Sequence, residues 1–117
     1  MKRQDLEGKE QRQFAADMRL YFPKVLWTIS IAGTFTTLIQ RRQLNLKGYS
    51  KGTPDIWIFE PRGKYHGLVI ELKKLEGGTL SPEQKDWLKE LNKRGYLGIR
   101  CDGAGEALQI VSKYMEM

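Results

Sequence analysis

Residues 54–73 read Pro54-Asp-Ile-Trp-Ile-Phe-Glu-Pro-Arg-Gly-Lys-Tyr-His-Gly-Leu-Val-Ile-Glu-Leu-Lys73, and this stretch decides the fold. Two apolar runs, Ile56 to Glu60 and Gly67 to Lys73, flank Pro61-Arg-Gly-Lys-Tyr65, a connection with the glycine and length of a hairpin. If the hairpin is symmetric about Gly63, Asp55 falls opposite Glu71. Directly opposed residues of an antiparallel pair have Cβ atoms roughly 4.5 to 5.5 Å apart. The two-residue period of a strand turns Lys73 to the face of Glu71. Two acids and a lysine therefore converge on one face of adjacent strands.

Upstream, Gly48-Tyr-Ser-Lys-Gly-Thr-Pro54 has the glycines and proline of a loop. Thr34 to Gly48 is compatible with a helix in which Leu38, Ile39, Arg42 and Leu46 share a face, although Thr36 and Thr37 suit a helix interior poorly. Lys24 to Gly33 is rich in β-branched and aromatic residues and predicts a strand. From Asp5 to Phe22, the residues Phe14, Met18, Tyr21 and Phe22 repeat at helical spacing, and Pro23 ends that helix. Downstream, Ser81-Pro-Glu-Gln84 is a capping box opening a helix to Arg94, with Trp87, Leu88 and Leu91 facing inward. Tyr96 to Cys101 predicts a last strand. Ala107, Leu108, Val111, Tyr114 and Met115 mark a C-terminal amphipathic helix.

The predicted order α-β-(α)-β-β-α-β-α, with a helical crossover before the last strand, gives an α/β fold: a mixed sheet of about four strands flanked by helices. At 117 residues, 40% of them hydrophobic, the chain has room for one core, so residues 1–117 are read as a single domain. No apolar run reaches the roughly 20 residues that cross a bilayer, and Met1-Lys-Arg3 leads into polar residues, so a soluble intracellular protein is expected. The single cysteine, Cys101, suits a buried strand position. A net charge of +6 favours a polyanionic partner such as nucleic acid.

Two carboxylates this close repel, so they call for a positive guest. Phosphodiester hydrolysis needs such parts: hard oxygen ligands for Mg²⁺ or Mn²⁺, an activated water, and positive charge beside the phosphorane. Asp55 and Glu71 are candidate metal ligands, with the Leu72 carbonyl as a further oxygen. Lys73 would position or deprotonate the water, or stabilise the transition state. The competing reading of the same residues is a salt-bridge cluster on the protein surface.

Other residues also carry two readings. Gln84 serves either the helix cap or the site. Arg41, Arg42, Lys47 and Lys51 lead into Asp55 and could meet phosphates, or form a solvated face. Tyr49 and Trp57 could stack on bases, with a core role favoured for Trp57. His66, about five residues before Glu71, lies too far along the strand to join the acids.

Taken in order, Gly52-Thr-Pro-Asp55, His66-Gly-Leu-Val-Ile-Glu-Leu-Lys73 and Leu80-Ser-Pro-Glu-Gln84 resemble the virus-type replication-repair nuclease (VRR-NUC) family of the PD-(D/E)XK nuclease superfamily. The resemblance spans nearly the whole chain and implies the restriction-endonuclease-like core of that superfamily. It assigns catalysis to Asp55, Glu71 and Lys73, with Gln84 beside them. The family's first-helix glutamate and glutamine, four residues apart, match Glu7 as a metal ligand and Gln11 at the nucleic acid, with Glu10 as the alternative to Glu7. Many members carry Asn-Gly after the first strand, where this chain has Ile31-Ala-Gly33. The resemblance further implies an Mg²⁺- or Mn²⁺-dependent, structure-selective DNA endonuclease; the competing readings are a DNA-binding module that does not cleave, and a restriction-type or RNA nuclease of the same fold. The endonuclease would act as a homodimer on branched DNA such as four-way Holliday junctions, in phage or bacterial repair or recombination, in the cytoplasm of the host cell.

Overall fold

The computed structural model describes residues 3–30 and 37–117, and their side chains except at positions 3–5, 7 and 41. The elements are α1 (Arg3–Tyr21), β1 (Trp27–Ile29), α2 (Leu38–Leu46), β2 (Ile56–Ile58), β3 (Leu68–Lys73), α3 (Pro82–Lys93), β4 (Leu97–Asp102) and α4 (Ala104–Met115). They form one four-stranded sheet in the order β1-β2-β3-β4. The β1/β2 and β2/β3 pairs are antiparallel, and α3 carries the chain across to a parallel β4. This is the expected mixed α/β core.

β2 and β3 pair as Ile56↔Ile70, Trp57↔Val69 and Ile58↔Leu68, a register centred on position 63. The turn beneath is tighter than expected. Arg62 and Tyr65 exchange backbone hydrogen bonds around Gly63-Lys64, and Gly63 takes a left-handed φ of +54° that glycine adopts without strain. Residues 59–61 then oppose only 66 and 67, so one extra residue on the first arm shifts the ladder back to its centre.

Ile56, Ile58, Leu68, Ile70 and Leu72 share a face and are buried with Phe14 and Met18 of α1 and Ala107, Val111 and Tyr114 of α4. The Tyr114 hydroxyl donates to the Glu60 carbonyl at 2.6 Å, satisfying a polar group on a buried ring. Tyr21, expected on the inner face of α1, is exposed. It is the last helical residue, and Phe22 packs on the core in its place. On the other side of the sheet α3 comes close at Gly98, where a Cβ would lie 3.3 Å from the Leu88 carbonyl oxygen and 3.2 Å from the Asn92 amide nitrogen. Asn92 clasps Gly98 by accepting from its N–H and donating to its carbonyl.

Two expected elements differ in extent. β1 covers Trp27–Ile29 of the strand expected over Lys24 to Gly33, in register with the three residues of β2, and single backbone bonds from Ser30 to Asp55 and from Phe59 to Leu26 continue the pairing at each end. Ile31-Ala-Gly33 lies outside the described residues. α2 starts at Leu38 because Thr37 is its N-cap, in a capping box with Gln40. Thr37, a poor interior residue, is therefore well used at the boundary.

Cys101 is fully buried, and burial, reinforced by the charges of Glu106 and Asp102, pushes its thiol up to about 12. In native protein at pH 8 a thiol reagent should leave Cys101 unmodified, while denaturant should allow complete modification. Rapid labelling of folded protein would contradict the packing of β4. No helix among the described residues is long and apolar enough to cross a membrane.

Candidate active site

The α3-facing side of the sheet carries the odd-numbered residues of β2 and β3. Glu71 and Lys73 end β3 there, only 2% and 6% exposed. Asp55 lies one step before β2, and continuing the Ile56↔Ile70 register sets it across from Glu71. Its backbone carbonyl accepts from Ser30 N–H at 2.7 Å, while its carboxylate Oδ2 accepts from Leu72 N–H at 3.0 Å. Asp55 is thus tied to β3 and to the end of β1. Along a strand the N–H and C=O of one residue leave by the same edge, so the Leu72 carbonyl also faces the Asp55 side of β3.

Gln84 joins the acid to the lysine. Its Nε2 donates to Glu71 Oε1 at 2.7 Å, and its Oε1 accepts from Lys73 Nζ at 3.1 Å. The same Oε1 accepts from Ser81 N–H at 2.9 Å, and Ser81 Oγ accepts from Gln84 N–H at 3.1 Å. Helix cap and active-site contact are therefore one arrangement: the cap fixes the carboxamide that orients Glu71 and Lys73. Lys73 Nζ also lies 3.7 Å from Glu71 Oε1. A surface salt bridge does not describe a pair this deeply buried. Desolvating two ions costs several kcal/mol each, and apolar residues of similar size often stabilise a core better. A buried pair at the end of a strand, next to a second carboxylate, is therefore costly to the fold, as groups at functional sites often are.

Sequence reasoning missed two neighbours on β4. The parallel register sets Arg100 beside Glu71 and Asp102 beside Lys73. Arg100 Nε bonds Asp102 Oδ1 at 3.0 Å, so the four charges alternate in sign across the two strands. Tyr49, weighed for base stacking, is half-buried with its phenol in the field of the acids. Burial raises its pKa most, the Gly52 backbone hydrogen bond lowers it, and the charges of Glu71 and Asp55 raise it further. The phenol stays protonated, and so a donor, at neutral pH.

The remaining candidates make other contacts, are exposed, or have side chains outside the described residues. Glu7 belongs to α1, but its side chain and that of Arg41 are outside the described residues. Glu10, the alternative to Glu7, has a structural role, because its Oε1 accepts from Ala104 N–H at 2.8 Å. The N-cap of α4 is Gly103, which has no side chain to do this. Gln11 is half-buried on α1, and Arg42 and Lys47 are exposed on α2 and at its C-cap. Lys51 is exposed and 3.5 Å from Glu83. His66 packs edge-on to Tyr96 at the opposite end of β3, and Trp57 is half-buried with Nε1 donating to the Pro54 carbonyl at 3.0 Å. Among the described residues no three His, Cys, Asp or Glu side chains cluster as a ready cation site.

A mixed sheet flanked by helices, with an aspartate at the start of one strand and Glu-x-Lys at the end of its neighbour, defines the PD-(D/E)XK class of nuclease domain. The match to the VRR-NUC domain covers residues 11–105, and the chain belongs to that family. A solved structure described as a VRR_NUC domain protein has the same fold, with a TM-score of 0.75 and 24% sequence identity over 95% of this chain and 88% of the other. No curated protein sequence matches the chain significantly. Membership indicates a nuclease.

Proposed function

We propose that the chain is a divalent-metal-dependent endonuclease that cuts branched DNA, with Asp55, Glu71 and Lys73 as its catalytic residues. The observation that carries this reading is the buried Glu71–Gln84–Lys73 cluster beside Asp55. The available donors fit a hard cation: two carboxylates and the Leu72 carbonyl are all oxygen, the set that Mg²⁺ and Mn²⁺ prefer. Asp55, Glu71 and Leu72 would hold the ion, with Glu7 added from α1, whose neighbouring turn docks through Glu10 just beyond the ends of β3 and β4. Once bound, such an ion lowers the pKa of a coordinated water and offsets charge on the phosphoryl oxygens.

The protein groups supply the rest. Leu72 N–H fixes Asp55 Oδ2 and so holds the carboxylate at the end of β3. Gln84 holds Lys73 Nζ beside Glu71, where its positive charge can meet the scissile phosphate as negative charge develops. Arg42, Lys47 and Lys51, with Arg41 and Gln11, are assigned to flanking phosphates.

Symmetric cutting of a four-way junction needs two sites related by a twofold axis, which supports a homodimer. α2 supplies a candidate surface. Leu38, Ile39 and Leu46 are exposed on a nine-residue helix, a length that is marginal in water without tertiary packing. A Leu38→Glu, Ile39→Glu double variant should run as a monomer in light scattering while wild type runs as a dimer; a dimeric variant would place the interface elsewhere.

Labelled four-way junction, linear duplex, single strand and RNA, each incubated with Mg²⁺, Mn²⁺ or EDTA, test the activity. Paired nicks in the junction, dependent on the ion, are expected. Binding without cutting, preference for RNA, or cutting that persists in EDTA would each overturn the proposal.

A further inference from the structure

Lys73 is held at two points. Gln84 grips its tip, whereas the stem is covered by backbone: a Cβ on Gly78 would lie 2.9 Å from Lys73 Cβ, 3.3 Å from Cγ and 3.4 Å from Cδ. Gly78 is buried, so only a residue without a side chain lets the connection between β3 and α3 lie directly on the lysine. That connection also carries Ser81, which orients Gln84. Both grips on Lys73 thus depend on the path of residues 74–81.

Arg100 ties that path to the sheet. Its Nη2 donates to the Gly78 carbonyl at 2.5 Å, and its Nε to Asp102 Oδ1 at 3.0 Å. The guanidinium is planar, so engaging Nε with Asp102 sets the direction in which Nη2 points. The Arg100 and Asp102 side chains are 33% and 40% exposed, against 3% and 7% for Glu71 and Lys73. The outer pair therefore forms the rim of the inner one.

We propose that Arg100 is a positioning residue: oriented by Asp102, it latches the Gly78 carbonyl so that the β3–α3 connection stays folded over Lys73 and holds Nζ at Gln84 and Glu71. Its effect on rate rests on the nuclease reading, but the latch itself does not. If Arg100 simply contacted a phosphate, removing it would weaken substrate binding. A latch acts on the placement of Lys73, so it changes turnover instead.

Arg100→Ala and Arg100→Lys in the full chain separate these cases. With Arg100→Ala, amide exchange at Ser81 and Gln84, whose N–H groups are hydrogen-bonded where the connection meets α3, should accelerate about tenfold while β3 and α4 keep their protection. Junction cleavage should lose roughly 10- to 100-fold in kcat with KM unchanged, the scale of a small misplacement of a catalytic group. Arg100→Lys keeps the positive charge, and so a simple phosphate contact, but loses the fork that Asp102 orients, so it should behave as Arg100→Ala does in both readouts. Unchanged exchange at Ser81 and Gln84, or a loss confined to KM, would overturn the latch. If wild-type protein cuts nothing, the nuclease reading fails, and exchange alone decides: acceleration supports the latch and its absence removes it.

Discussion

Asp55→Asn protein should fold as wild type does and cut junctions slower by on the order of 10²–10³-fold or more, because several kcal/mol of transition-state stabilisation leave with one carboxylate. The fold should survive because an asparagine oxygen can still accept from Leu72 N–H, and losing a negative charge beside Glu71 relieves repulsion. Stability should therefore hold or rise slightly. Glu71 behaves differently. Glu71→Ala strips Lys73 of its counter-charge in a site only a few per cent exposed, and such a change costs about 3–5 kcal/mol. Glu71→Gln keeps the shape and a partner for Gln84, so it should be milder in stability yet equally inactive. Thermal melting and cleavage rates measured on the same preparations check both halves. Asp55→Asn protein that still cuts at the wild-type rate would remove Asp55 from the site, and a marked loss of stability in it would mean that Asp55 serves the fold.

The hairpin shows why some of this was legible. Its turn, centred between Gly63 and Lys64, would by itself pair Ile58 with Val69 and send Asp55 toward Leu72. Paired residues in a ladder share a face, however, and a one-residue slip would put Ile56 and Ile58 on the side opposite Leu68, Ile70 and Leu72. Burying all five together forces even-numbered residues to pair with even ones, and the extra residue within 59–61 absorbs the mismatch. The apolar pattern therefore carries the register, and with it the Asp55–Glu71 pairing, although the turn itself is tighter than its residues suggest. The capping box of α3 was legible for the same local reason, whereas the second role of Gln84 came from the family resemblance alone, since nothing near Ser81 reveals that Gln84 sits beside Lys73. Arg100 and Asp102 were invisible because the β3/β4 register depends on how α3 crosses over. Glu10 is tied to Ala104, 94 residues away, and the only hint was a helix beginning at a glycine unable to cap itself.

Gly52→Ala should separate the seating of the Asp55 loop from its intrinsic strain. Gly52 has φ +90°, and a Cβ there would lie 2.6 Å from the Glu83 backbone carbon and 2.8 Å from its oxygen. Backbone cannot swing aside as a side chain can, so the loop or the first turn of α3 must move. That loop carries Asp55, Tyr49 and Lys51, while the first turn of α3 carries Gln84. Gly48 provides the control: its φ is +109°, but a Cβ there would meet nothing within 4 Å. Gly48→Ala should therefore lose only the conformational cost of a non-glycine residue at positive φ, about 1–2 kcal/mol, and keep its cleavage rate. Gly52→Ala adds a clash, so stability should fall by about 2–4 kcal/mol in all. Its cleavage rate should fall by roughly 10²-fold, as expected when catalytic groups shift by about an ångström. Equal activity in the two variants would mean that Asp55 is placed by its bonds to Leu72 and Ser30 alone, with the contact between the loop and α3 playing no part.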